Sequence, residues 1–274
     1  MQTDWISILR ECKNHIQKNI KPLLAEETQP SPQLGLGAGG DRLEPIDLAA
    51  ERAIVDTFRD NGVSFTLVSE ESGVKKYGER AAECYVTTDP VDGSTNLSRR
   101  IPFYASSVAV STKPMLGMVH SALVADLFRD VTYTAQKGFG AFRNGERIVP
   151  SKNVSIEEAV IGMDLNSFKS KDLLSRLTRV VEETKHIRHF GANALELCYV
   201  ADGKTDSFID IRGKLRATDI AAAWLIVNEA GGIVTTPEGE PLEARLDPKE
   251  RLKFVASGNR VIHTKFLDLM SEKG

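Results

Sequence analysis

The chain has 274 residues, enough for one large domain or two modest ones around an ample core. Hydrophobic residues make up 41% and charged residues 27%, and the net charge is only −3, so no global field favours nucleic acid or an anionic membrane; neither is expected as a partner. No apolar run approaches the ~20 residues of a bilayer span. The opening "MQTDWISILRECKNH" has no secretory apolar core, and the three cysteines, Cys12, Cys84 and Cys198, are scattered and read as buried reduced thiols. A cytoplasmic location is the resulting expectation.

In chain order, Ile6, Leu9, Cys12, Ile16 and Ile20 share one helical face and predict a helix from about Trp5 to Leu24. The stretch "EETQPSPQLGLGAGGDRLEP" has no period and reads as a long loop. A second helix is predicted near Asp47 to Arg59, with Ala50, Ile54 and Phe58 inward and Asn61-Gly62 as its stop. Short strands follow, "SFTLVS" and "CYVTT", which run into acids at Glu70 and Asp89. "ASSVAVST", "GMVHSALVA" and "DVTYTAQ" alternate as sheet, and "AFRNGERI" reads as a hairpin turning on Asn144-Gly145. After about Pro150 the pattern changes to "AVIGMDL", a helix over Leu173 to Glu183, "HIRHFG", a helix at "NALELCYVADG", then "SFIDIR". The helix "TDIAAAWLIVNEAGG" comes last, with Ile220, Ala223, Trp224 and Val227 as its buried face. The expected fold class is α+β to α/β: a mixed-sheet half over residues 1–150, and a smaller, more alternating α/β half over 151–274.

Gly35, Gly37 and Gly40 have the G-x-G-x-x-G spacing of a dinucleotide site, with Asp60 twenty positions on. The context fails: "QPSPQ" delivers no strand, Pro45 delays the helix, and Asp60 ends a helix. The glycines read instead as freedom for a loop to swing Asp41, Glu44 or Asp47 towards a ligand, with a plain surface linker as the alternative.

In "VTTDPVDGSTN" a strand is expected to end at Asp89, with Pro90 enforcing a turn that brings Asp92 to the same side. The Val91 carbonyl lies between them, and three hard oxygens suit Mg²⁺ or Mn²⁺ rather than Zn²⁺. Amides after Gly93 offer an anion site beside the cation. An ordinary capped turn is the plainer alternative. An aspartyl-phosphate motif is disfavoured, because its two Asp stand two apart and these stand three apart. Glu70 and Glu71 in "VSEESG" and Asp219 in "RATDIAAAW" are placed to complete an oxygen cage, although Asp219 alone could be a helix cap.

Through "SEESG", "DPVDGSTN" and "TDIAAAWLIVNEAGG", in that order, the chain resembles the inositol monophosphatase and fructose-1,6-bisphosphatase superfamily of metal-dependent sugar phosphatases. "GAFRNGERI" and "HFGANALELCYVADG" are also similar, and the likeness is to the archaeal branch whose members often act on both substrates. The resemblance implies a layered αβαβα fold and direct in-line hydrolysis of sugar or polyol phosphates, fructose-1,6-bisphosphate and inositol-1-phosphate foremost. It implies two or three Mg²⁺ ions, with Mn²⁺ as a substitute, on Glu70, Asp89, the Val91 carbonyl, Asp92 and Asp219. Asp47, Glu70 and Ser94 are the implied catalytic residues, with Asp47 and Ser94 orienting the attacking water. Asp92, Gly93, Ser94, Arg188, Asn193 and Arg212 are the implied substrate contacts, the last three towards the sugar or its distal phosphate. Arg188 and Arg212 could equally be solvated strand-end charges, and Asn193 a helix cap; His189 reads as structural. Basic residues in "DIRGKLR" suit a second phosphate, and a homodimer is expected by analogy. Leu43, Leu97 and Thr218 depart from the family pattern without removing a ligand. The competing readings are a nucleoside 3′,5′-bisphosphate phosphatase and a non-catalytic sensor of metal and sugar phosphate.

Overall fold

Two helices open the chain, α1 (Trp5–Ala25) and α2 (Pro45–Asp60), in a computed structural model that describes residues 3–25, 35–40, 42–166 and 171–271. Asp41 and the first part of the long loop lie outside the described residues. Pro45 stands in the first turn of α2, where its missing N–H breaks no helical bond. Leu9, Cys12, Ile16 and Ile20 of α1 meet Ala50, Ile54 and Phe58 of α2, the faces expected from the periodicity.

The first sheet follows: β1 (Phe65–Ser69), β2 (Gly73–Tyr77), β3 (Tyr85–Asp92), β4 (Ala105–Ser111), β5 (Val119–Asp126), β6 (Val131–Gln136), β7 (Gly140–Arg143) and β8 (Glu146–Arg147). Its order is β2-β1-β3-β4-β5-β6-β7-β8, and only the β1–β3 pair is parallel. A short helix, α3 (Ser94–Ser98), leaves the end of β3. The second sheet contains β9 (Val160–Met163), β10 (His186–Arg188), β11 (Ser207–Arg216), β12 (Ile233–Thr235) and β13 (Arg251–Ser257), in the order β10-β9-β11-β13-β12. Helices α4 (Lys171–Glu183), α5 (Asn193–Ala201), α6 (Ala217–Ala230) and α7 (Arg260–Ser271) complete the described elements.

Alternation along the strands sets the layers. Val108, Val110, Leu123 and Ala125 face α1 and α2, whereas Ala105, Ala109, Ala122 and Val124 face the opposite way onto α5 and α6. Phe208, Phe254 and Ala256 of the second sheet cover the far side of those two helices, and Ile209, Ile211 and Val255 turn to α4 and α7. The result is the expected αβαβα stack. Residue 150 falls between the two sheets, but the largest core cluster draws on both sides of it.

Three local expectations change. β3 does not end at Asp89: it runs on to Asp92, with one extra residue against β4 between the Asp89–Ser107 and Asp92–Ala105 pairs. That bulge accommodates Pro90 within a strand. Gly117 and Met118 form a tight turn rather than the start of a strand. Trp224 is only partly buried, whereas Ala221, Ala222, Leu225 and Ile226 are buried as well, because α6 lies between two sheets. β2 gave no apolar signal because it is an edge strand whose Lys75 and Lys76 face solvent, a composition that discourages pairing with another chain.

Candidate active site

Four structural devices bring carboxylates to one place. β1 ends at Ser69, so the next residue, Glu70, leaves the sheet at the mouth of a cavity of about 540 Å³. The bulged end of parallel neighbour β3 delivers Asp89, Val91 and Asp92 to the same cavity. Asp47 and Asp219 each occupy the third position of a helix and accept the N–H of the residue before it, Glu44 at 3.2 Å and Arg216 at 2.8 Å. Helix starts thus fix both side chains, and the Thr218 hydroxyl lies 3.0 Å from the other Asp219 oxygen.

Glu70, Asp89 and Asp219 each offer an oxygen within 4.8 Å of the others. Asp92 adjoins them but leans on the start of α5: its two oxygens accept the N–H groups of Asn193 (3.0 Å) and Ala194 (2.7 Å). Burial, then the charges of Glu70, Asp92, Asp219 and Asp47, push the Asp89 carboxyl well above the ordinary range. Burial likewise raises Asp47 and Asp92 to about 7, only partly opposed by their amide contacts. Asp219 is raised by burial too, against the pull of Arg216. One Asp47 oxygen, Oδ1, is buried with no hydrogen-bond partner. Several carboxylates this close, one with an unsatisfied oxygen, fit a divalent cation that takes hard oxygen ligands at about 2.1 Å.

Ser94 and Thr95, at the start of α3, border the cavity and are exposed. Gly93 precedes them with φ +92°, and a Cβ there would stand 3.1 Å from the Phe103 carbonyl oxygen and 3.2 Å from that of Gly191. Only glycine combines that dihedral with that closeness. Asn96 fixes the opposite wall by donating to the carbonyls of Phe103 (2.8 Å) and Phe190 (2.6 Å).

Asn193 borders the cavity as the first residue of α5, one past the capping position, which Ala192 holds. Arg188 and Arg212 are not brought to the cavity wall. Arg188 is exposed and donates to the Ile187 carbonyl at 2.9 Å. Arg212 is not a solvated strand-end charge: its side chain is buried between Asp164 and Asp210, with Nη2 2.5 Å from an oxygen of each.

Basic residues missed or read only collectively do border the cavity: Arg42, Lys214, Arg216 and Arg251. Arg216 pairs with Glu70 at 2.7 Å, approaches Asp219 at 3.7 Å, and also donates to the Gly39 carbonyl. Arg251 donates to the same carbonyl at 2.9 Å. The glycine loop is therefore held across the cavity, with Ala38 and Gly39 amides donating to the Glu71 and Glu70 carbonyls. The sequence signal for Arg216 was slight, since arginine is an unusual residue to precede a helix.

The sequence profile of the inositol monophosphatase family matches residues 6–274. The chain belongs to the inositol monophosphatase family. It is 34% identical over 276 residues to a fructose-1,6-bisphosphatase/inositol-1-monophosphatase of Methanothermobacter thermautotrophicus, covering 97% of this chain and 96% of that one. A bifunctional NADP phosphatase/NAD kinase of Methanococcus maripaludis is 32% identical over 290 residues, and there the match spans 98% of this chain but 50% of the relative. Among solved structures, an inositol monophosphatase–fructose 1,6-bisphosphatase superposes with a TM-score of 0.85 at 31% identity, covering 97% of this chain and all of the other. This family member is thus a phosphatase with the layered fold of its relatives, and its clustered acids fit the metal dependence general in the family.

Proposed function

We propose that the chain is a Mg²⁺-dependent phosphomonoesterase acting on sugar or polyol phosphates, with fructose-1,6-bisphosphate and inositol-1-phosphate as its principal substrates. The observation that carries this reading is the convergence of Glu70, Asp89 and Asp219 beside Asp47, Asp92 and the start of α3 in one cavity. Glu70, Asp89, Asp92, Asp219 and the Val91 carbonyl would hold the cations, of which two or three, or Mn²⁺ in their place, suit so many oxygens. A bound divalent cation would acidify water and offset charge on the departing ester oxygen. The protein's own groups supply the rest. Asp47, with its unpartnered Oδ1, accepts a hydrogen bond from the attacking water, and the Ser94 hydroxyl orients it. Amides following Gly93 face the equatorial phosphate oxygens and stabilise charge that develops there. Water then attacks in line, without a phosphoenzyme.

A cytoplasmic location belongs to the same reading, supported by three free, buried thiols. So does a homodimer, which light scattering of the purified protein tests. The functional test is phosphate release with Mg²⁺ from fructose-1,6-bisphosphate, inositol-1-phosphate, adenosine 3′,5′-bisphosphate and NADP. Activity on the first two that stops with EDTA is expected. No release from any, or release indifferent to EDTA, overturns the proposal, and preference for a nucleotide moves the substrate class.

A further inference from the structure

Glu51 is a buried acid with no part in the reaction proposed above. It stands one turn after Asp47 on the inward face of α2 and is 6% exposed. A carboxyl group so placed is ordinarily paired with a cation, yet among the described residues no lysine, arginine or histidine pairs with this one. Its contacts go instead to the turn that leaves β1. Oε2 accepts the Ser69 hydroxyl and the Ser72 amide, the latter at 3.2 Å, and the Ser69 oxygen in turn accepts the Glu71 amide at 3.2 Å. One carboxyl group thus ties both ends of the Ser69–Ser72 stretch to α2. That stretch contains Glu70, which borders the cavity, and its carbonyls seat the glycine loop: Gly39 donates to Glu70 at 2.7 Å and Ala38 to Glu71 at 2.9 Å. The fit is close. A Cβ on Gly37 would stand 2.9 Å from Glu71 Oε2 and 3.3 Å from the Glu70 carbonyl oxygen, and one on Gly73 would stand 3.2 Å from the Ala38 Cβ. Beyond the seat, the Leu43 amide donates to the Gly35 carbonyl at 3.1 Å and Leu36 bridges to Arg42, so the two arms of the loop are tied to each other.

We infer that Glu51 is a positioning residue: it holds the Ser69–Ser72 turn against α2, and through that turn it sets both the place of Glu70 and the position of the glycine loop across the cavity. The seating of the loop stands by itself, whereas the consequence for turnover rests on the phosphatase reading above. Burying a carboxyl group without a cation is unfavourable for the fold, and the two donors that compensate it both belong to the turn being held. Removing the carboxyl group leaves the buried Ser69 hydroxyl and the Ser72 amide without their acceptor, a cost that opening of the turn relieves.

Limited trypsin digestion of the metal-free protein reads the loop directly, because no other lysine or arginine stands between Lys21 and Arg42. Cleavage tracks the population of the opened segment. Losing a hydrogen bond to a carboxyl group shifts such a population by about tenfold or more, so Glu51→Ala is expected to speed cleavage at Arg42 by about that factor and to leave other sites unchanged. Glu51→Gln, which keeps an acceptor oxygen, should restore most of the protection, and Ser69→Ala should give a smaller acceleration at the same site. Unchanged cleavage at Arg42, or equal acceleration at all sites, overturns the inference; if Glu51→Ala does not fold, Ser69→Ala decides by the same criterion. Kinetics separate the inference from the parent reading. With inositol-1-phosphate, Glu51→Ala should raise the Mg²⁺ concentration for half-maximal rate by about tenfold, while kcat at saturating Mg²⁺ stays within about threefold. If the wild-type protein hydrolyses neither inositol-1-phosphate nor fructose-1,6-bisphosphate, yet the variant is cut selectively at Arg42, the phosphatase reading fails and the seat stands. If the Mg²⁺ dependence of Glu51→Ala matches wild type, Glu51 does not position Glu70 and the inference falls.

Discussion

Asp164 and Asp210 close on Arg212 at one end of the second sheet, whereas Asp47, Asp89, Asp92 and Asp219 face one another at the cavity floor with Glu70 beside them. Both groups are largely buried, and burial leaves Asp210 and Asp89 alike raised, yet the principal charged neighbour of each differs in sign. Burial raises Asp210, and Arg212 pulls it back through hydrogen bonds and charge. Every influence on Asp89 raises it. The first arrangement is complete within the chain and holds the fold. The second is a set of like charges whose stable form needs a counter-charge from outside, and such sets mark sites of function. Arg216 makes the contrast sharper, because it reaches Glu70 and Asp219 from the edge and leaves Asp89 to its acidic neighbours.

The largest test removes a floor carboxylate. Asp89→Asn should lower kcat by about a thousandfold or more, the scale of losing a metal ligand, while the metal-free protein melts no earlier than wild type because repulsion is relieved. Turnover within tenfold of wild type would erase the distinction between the clusters. Next in size, Arg212→Met leaves Asp164 and Asp210 buried without their cation and should cost about 3–5 kcal/mol in urea unfolding. A loss below about 1 kcal/mol would show that Arg212 is not structural.

Smaller still is an effect of pH on the metal-free protein. Burial lifts the Glu196 carboxyl to about 8, although the amides of Gly191 and Phe190 favour its ionised form. A carboxyl raised on folding favours the protonated native state, so its stabilisation is present at low pH and fades as pH climbs through about 8. Stability should therefore drop by about 1 kcal/mol between pH 7 and pH 9, and Glu196→Gln should flatten that slope. An unaltered slope in the variant assigns the dependence to other groups.

Much of this was legible in the residues. Acids at strand ends, the Pro-Val-Asp-Gly stretch and an acid at a helix start are local signals, and they located Glu70, Asp89, Asp92 and Asp219. Strands and helices with clear periods gave the mixed α and β class, and the layered stack was implied by the family resemblance. What escaped is long-range. Arg251 reaches the cavity only because β13 pairs with β11, and nothing near "RLKFVAS" hints at that partner. Arg212 was singled out by the resemblance alone, and its ion pair with Asp164 is long-range, since Asp164 arrives from β9's end. Pro90 suggested a stop, since a one-residue bulge cannot be told from a turn without the opposing strand.

Asp92 rests both oxygens on the first amides of α5, a helix whose Ala194, Leu195, Leu197, Cys198, Val200 and Ala201 are all enclosed. The position of that carboxylate is thereby calibrated by methyl-sized fits in the interior, several residues away from any chemistry. A lineage that enlarged one of those alanines would shift the helix and, with it, the reacting geometry. In evolutionary terms, this helix has less latitude to drift than its mostly apolar sequence suggests.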